Sequence, residues 1–397
     1  MKFGSSFLMQ LPRPWNSDSE RKMLSNALEQ AELVDRSGFD YVWSTEHHFL
    51  EEYSHSSTPE LFLAACSQRT RHVRLGHGIV QTPPAINHPA RIAERIAALD
   101  LLSNGRCEFG TGSGATITEL GGFNVAQPEK KAAQLEGFRV AVRMLVESPF
   151  TGFEGKYVTV PPRNVMPKPL QKPHPPLWMA CSRRESILDA ARLGLGALTF
   201  SFVSPAEARQ WVRDYYDTIE NESIPLGYAV NPNFAVAAPF LCHPDETYLR
   251  KIADENYGFF LYALGHYSFF GEHHPGKTQI WNEYKTNPNG KAAAPEASAQ
   301  TCVGTPDVLR RRLREFEEAG IDQVCSIGAV ANIPHDLYCS TIELFAREIL
   351  PEFKDRETAN ARRNSERRAR ISEKAMARKP KEAPVEVDVA IPSAGHH

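Results

Sequence analysis

Gly38-Phe39-Asp40-Tyr41-Val42-Trp43-Ser44, running into Thr45-Glu46-His47-His48-Phe49, spells out one helix–strand–loop junction. Upstream, Leu24, Ala27, Leu28, Ala31 and Val34 recur at the spacing of an amphipathic helix. Gly38 supplies the left-handed residue that stops such a helix. Tyr41–Ser44 is a short apolar run, as in a strand buried on both faces. The junction recurs at Gly320-Ile321-Asp322 before Gln323–Ile327, and Gly194 stops another helix.

Working outward, eight strand candidates emerge: Lys2–Leu8, Tyr41–Ser44, Val73–Val80, Cys107–Thr111, Pro176–Ala180, Ala197–Ser201, Asn233–Leu241 and Gln323–Ile327. Helical segments separate them, with Ile92, Ile96, Leu99 and Leu102 on one face. Thr58-Pro59, Ser204-Pro205 and Thr305-Pro306 each place a hydroxyl cap before a proline at the first helical position, and Ser204 with Glu207 makes a capping box. Eight such units give a doubly wound sheet or a closed barrel. The first turn has no G-x-G-x-x-G, so the reading is α/β, a (β/α)8 TIM barrel with insertions. Its active site is expected where the strand C-termini meet the next loops.

The barrel is assigned to residues 1–354. Residues 264–301 are rich in Gly, Pro, Lys, Asn and His and are expected to form a mobile lid. Residues 147–176 form a partly extended insertion before the fifth strand. From Asp355 to Glu382, ten Lys/Arg face five Asp/Glu. Residues 355–397 are therefore expected to be a basic tail: a frayed, solvated helix over Arg356–Met376, then disorder.

The 397 residues are 42% hydrophobic and 23% charged, an ordinary globular composition. There is no membrane-length apolar run and no signal-peptide pattern. The odd count of seven cysteines, with no C-x-x-C pair, fits a reducing cytosol. The expected location is cytoplasmic. A net charge of −3 suggests no nucleic-acid or membrane partner.

Chemistry is sought in the loops after the strands. His47 and His48 suit proton transfer; a hydrogen-bonded loop histidine is the other reading, and no H-x-x-x-H spacing supports a metal. His77-Gly78 places a small residue where a flat ring could approach the backbone, or where the barrel merely turns tightly. Gly110-Thr111-Gly112-Ser113-Gly114 offers backbone N–H groups. Ser182 and Arg183, directly before a helix, combine hydroxyl, cation and helix N-terminus as in a phosphate site. A capped helix with solvated arginines explains them too. His266, His273 and His274 are read as loop residues.

Together these segments resemble the bacterial luciferase-like FMN-dependent monooxygenases, over about residues 1–354. The likeness rests on Met1-Lys2-Phe3-Gly4, on Gly38 to Phe49, and on His88-Pro89-x-Arg91 followed by Ala97 to Gly110. It rests also on Val303-Gly304-Thr305-Pro306 and Gly320-Ile321-Asp322. The resemblance implies FMN at the C-terminal face and a mobile loop after the seventh strand. It implies that His47 is catalytic and that His77-Gly78 lies against the flavin ring, in some members through a cis peptide. It places Ser182 on the flavin phosphate. The luciferase cysteine is matched by Gly112 and the phosphate-binding arginine by Ser113, so phosphate contact leans on Ser182, Arg183 and Arg184.

The implied reaction uses reduced FMN from a separate NAD(P)H:flavin reductase. Oxygen adds at flavin C4a to give a peroxide, with His47 handling a proton and the lid excluding water. The substrate is expected to be a small organic molecule near Met9, Trp43 and His48. Alternatives are an F420-dependent hydride-transfer enzyme and a non-catalytic flavin-binding protein. A homodimer is also implied.

Overall fold

The computed structural model describes residues 1–200, 205–286 and 302–381, with positions 387, 390 and 391 beyond them. Eight parallel strands close a barrel: β1 (Lys2–Phe7), β2 (Tyr41–Ser44), β3 (Arg74–Gln81), β4 (Cys107–Gly112), β5 (Leu177–Cys181), β6 (Gly196–Phe200), β7 (Phe234–Cys242) and β8 (Gln323–Ile327). Each pairs with the next, and β8 returns to β1 with Lys2 opposite Gln323. All eight strand candidates are present, with ends shifted by a few residues. A short strand at Cys302–Gly304 adds to the far end of β7. Residues 147–176 carry a two-stranded hairpin, Phe153–Glu154 with Thr159–Val160.

Twelve helices among the described residues complete the fold. They are α1 (Ser19–Arg36), α2 (Pro59–Arg69), α3 (Pro89–Leu102), α4 (Ile117–Gly122), α5 (Lys130–Val146), α6 (Arg184–Arg192), α7 (Pro205–Asn221), α8 (Glu246–Gly265), α9 (Ile280–Thr286), α10 (Pro306–Glu318), α11 (His335–Glu348) and α12 (Leu350–Arg378). Gly38, Gly194 and Gly320 have φ of 85°, 73° and 90°, the left-handed stops read from the sequence. Pro59 and Pro306 open their helices, but Thr58 and Thr305 make no side-chain cap. Proline at the first helical position already removes one of the unpaired N–H groups of the helix start. Ser204 lies outside the described residues, as do 287–301 of the expected lid.

Side chains alternate across each strand, so one set points into the barrel. In its lower half that set is bulky. Trp43 and Trp178 meet edge-on at 5.3 Å, and Tyr41 stacks on Trp43 at 5.7 Å. Glycines opposite make the room: a Cβ on Gly76 would stand 2.2 Å from Trp43. Trp178 Nε1 donates to Glu108 Oε2 at 2.6 Å, and Arg74 pairs with the same carboxylate. This floor is a packed core.

The C-terminal helix corrects one expectation. α12 is not a solvated extension: Ile371 and Ala375 are fully buried. Arg368 pairs with Asp322 at 3.0 Å, and the Arg367 guanidinium lies 3.6 Å from the Tyr216 ring. Arg378 donates to carbonyls of Glu220 and Ser223, closing the end of α7. Basic composition hid the anchoring, because the helix docks through arginines and a few apolar residues rather than a continuous stripe.

Candidate active site

Above the tryptophan floor, most inward positions turn small, with Ser6, Gly78, Gly110, Ala180 and Ala237 beside the larger Leu198. Ala180 is exposed although it sits within β5 between buried Met179 and Cys181, and Ser6, Gly78 and Leu198 are half-buried. The C-terminal end of the barrel is therefore an open bowl above a buried, edge-packed tryptophan pair. Close strand approach keeps it shallow: a Cβ on Gly110 would meet the His77 carbonyl at 2.3 Å.

His47 stands on the rim, in the loop after β2. Its Nδ1 lies 3.0 Å from Glu119 Oε1, and its ring packs edge-on against Tyr53 at 5.3 Å. Glu119 is fully buried and caps its own helix: Thr116 Oγ1 accepts from the Glu119 N–H, while Glu119 Oε2 accepts from the N–H groups of Ala115 and Thr116. The other oxygen accepts from Gln81 Nε2 at 3.0 Å and from the His48 N–H at 3.2 Å. Burial alone would raise this carboxyl. The His47 charge and the converging donors outweigh it and hold the group at about 2. Glu119 thus stays an anion and fixes one nitrogen of His47.

His48 belongs to a second network. Its Nε2 lies 2.8 Å from Glu46 Oε1, and its ring meets Phe123 edge-on at 4.9 Å. Glu46 also accepts from the Gln81 N–H and from Asn87 Nδ2, each at 2.8 Å. The two histidines therefore answer to two different carboxylates. Glu119 and Gln81 were not singled out from the sequence, and Glu46 was read only as a neighbour of the histidines in a disfavoured metal set. The Thr116-x-x-Glu119 capping box was a readable signal for the first.

Across the mouth, the ends of β4 and β5 carry Gly112, Ser113, Ser182 and Arg183. Ser182 and Arg183 are exposed, and Arg183 precedes α6. Arg184 is engaged elsewhere, 2.7 Å from Asp214. Lys130 joins this side by donating to the Gly114 carbonyl at 3.2 Å. Burial lowers its ammonium; Glu119 opposes this and the Arg183 charge adds to it. Two cations, Lys130 and Arg183, thus share one edge of the bowl, and among the described residues neither is in an ion pair.

Three sequence candidates sit differently. Trp43 is in the floor, fully buried, beneath the bowl. His77 alternates with inward Gly76, so its imidazole faces the helices; the charges it senses are Glu60 of α2 and Arg95 of α3. Burial there lowers it to about 4. Its backbone still lines the mouth, where the β3–β4 register shifts between His77 and Val80. The His77-Gly78 bond is not cis; the cis bonds among the described residues all precede prolines. Met9, buried with φ of 56°, follows β1 beside Gln10.

Described parts of residues 264–301 are structured over the mouth. α8 ends in a π-helical turn, His266–Phe270, and α9 returns. Buried Glu52 ties this segment down: it accepts from the N–H groups of Arg13, Ile280 and Trp281. Glu51 accepts from the Gly276 N–H at 2.7 Å and faces His273. His266 is buried rather than a solvated loop residue. No helix among the described residues is long and apolar enough to cross a membrane.

Residues 1–323 match the family model described as luciferase-like monooxygenase. The chain is 33% identical to an uncharacterized protein, y4vJ, of Sinorhizobium fredii, over 48% of this chain and 53% of that one. It is 29% identical to the oxygenase component of a flavin-dependent trigonelline monooxygenase of Acinetobacter baylyi, over 44% and 48%. These two matches span about half of the relatives' length. Limonene 1,2-monooxygenase of Rhodococcus erythropolis is 25% identical over 86% of this chain and 84% of its own. Among solved structures, monooxygenase RslO1 of Streptomyces bottropensis superposes with a TM-score of 0.73, at 25% identity, over 89% and 100%. The coenzyme F420 dependent tetrahydromethanopterin reductase of Methanopyrus kandleri shares the fold, with a TM-score of 0.65 at 20% identity over 89% and 99%. The chain belongs to the luciferase-like monooxygenase family.

Proposed function

We propose that this protein is the oxygenase half of a two-component monooxygenase that uses reduced FMN and O2 on a small organic substrate. The observation that carries the reading is the bowl: mostly small inward residues over a packed tryptophan floor, a histidine on one rim and two cations on the other. These features fit a tricyclic ring with a phosphate tail. Gly78, Gly110 and Ala180 leave the ring room. Ser182, Arg183, Lys130 and the N-terminus of α6 would hold the phosphate, with Gly112 and Ser113 beside it. Reduced flavin, when bound, supplies the electrons that activate oxygen.

The chain's own residues do the rest. Glu119 holds His47 Nδ1, which leaves Nε2 to take or give a proton at the mouth. His48 and the aromatics of α8 border the space left for an organic substrate. The latched 266–286 segment keeps water from the reacting atoms. The oxygenase-component relative supports a separate flavin reductase as partner. Exposed Leu61, Leu101 and Leu102 on α2 and α3 support a homodimer through these helices. A cytoplasmic location completes the reading.

The test is anaerobic titration with reduced FMN and, separately, with reduced F420, followed by rapid mixing with oxygenated buffer. Binding of FMN with slowed, multiphasic flavin oxidation is expected, and His47→Ala should remove the slow phase. Binding of F420 alone would make the protein a hydride-transfer enzyme instead.

A further inference from the structure

A second cleft, of about 450 Å³, lies outside the barrel wall between α1 and the loop joining β8 to α11. Its volume falls within the roughly 300–1,000 Å³ of small-molecule sites. It is separate from the bowl: Phe7, which lines it, alternates with inward Ser6 and packs on Phe62 of α2. Two buried amides face it, Gln10 and Gln30, each only 4% exposed.

Both amides are half-used. Gln10 Oε1 accepts from the Ala331 N–H at 3.0 Å, and its Nε2 has no partner. On α1, Gln30 Nε2 lies 3.1 Å from His335 Nδ1. His335 Nε2 points at Glu29, 3.2 Å away, which assigns its proton to that side and makes Nδ1 the acceptor. Gln30 Oε1 is then left as an acceptor without a donor. Met9, Met23, Ala27 and Ile333 give the wall beside them an apolar face, while the exposed Asn16, Asp18 and Lys22 also line the cleft and set charges of both signs there. Buried polar atoms are normally satisfied, and leaving one unmade costs about 1–3 kcal/mol. Met9 and Ala331, both lining the cleft, also have positive φ, 56° and 49°.

The geometry points to a binding site for a small uncharged molecule bearing a primary carboxamide or a cyclic amide on an apolar ring. Its carbonyl would take the Gln10 N–H, its N–H would reach Gln30 Oε1, and its ring would lie on the methionine wall. A carboxylate analogue supplies no donor for Gln30 and should bind worse. This inference does not depend on the flavin reading.

The probe is benzamide, with benzoate as control, added to the full chain. Benzamide at ten times its Kd should raise Tm by about 1–2 °C, with benzoate giving a smaller shift. Bound FMN should leave the benzamide shift unchanged. Gln30→Leu should abolish it; this replaces a half-satisfied amide with an apolar group of similar size. Asn26→Trp, at the half-buried wall, should block the cleft while leaving Gln10 and Gln30 in place. A crystal soak should show density between the two amides. Equal shifts for benzamide and benzoate, a shift that survives both substitutions, competition by FMN, or density for ordered water alone would each overturn the inference.

Discussion

At Glu119, a buried carboxylate holds the His47 ring and accepts from the His48 N–H, from Gln81 and from its own helix start, so its charge and His47's orientation are one property. Glu119→Gln removes the charge but keeps the size. The slow phase of reduced-FMN oxidation should change rate by about 10²-fold or more, with a shifted pH profile. Unchanged kinetics and profile would reduce Glu119 to a helix cap. His77 carries a different prediction. Its folded value of about 4 lies below the ordinary 6.5, so the unfolded chain binds the proton that the folded one refuses. Stability is then full above pH 6.5 and falls as pH drops towards 4, by on the order of 2–3 kcal/mol. Urea titrations across that window should show the slope, and His77→Gln should flatten it. Neither role was legible in the sequence. His47 was visible because it follows a strand; its partner lies 72 positions later and only the fold brings them together.

Elements show where composition misleads. The 266–286 segment looks like a loose loop from its glycines, prolines and histidines, yet Glu52 binds the first N–H groups of α9. A short helix gains most from such an anchor, because its free N–H groups are a large share of its bonds. Glu52→Ala should raise hydrogen exchange across 266–286 by about tenfold or more and leave the barrel strands protected; uniform protection would show that the latch is unimportant. In α12, charge obscured burial in the same way. Ile371→Asp should cost about 2–4 kcal/mol in urea unfolding, whereas Arg363→Asp on the exposed face should cost almost nothing. Equal effects would mean that the helix is not docked.

For the whole molecule, the barrel was legible because its signals are local: glycine stops, prolines at helix starts and short apolar strands, repeated in order. The bowl was not, since it depends on which strand positions face inward, and that requires the register. Trp43 illustrates the gap: proximity in sequence to His47 suggested a substrate contact, while alternation puts it in the floor. If the bowl is the flavin seat, Ala180→Leu should fold normally and weaken reduced-FMN binding by about 10- to 100-fold, as measured by anaerobic titration. Normal binding would move the seat elsewhere. The path of α12 has a practical consequence. Lys379, just past its end, donates to the carbonyls of Pro225, Leu226 and Gly227, in the turn leading into β7 at the closed end of the barrel. A tether fused directly to residue 381 would leave from the side opposite the mouth. Molecules immobilised on a bead or electrode by such a tether would all present their open face to the solution.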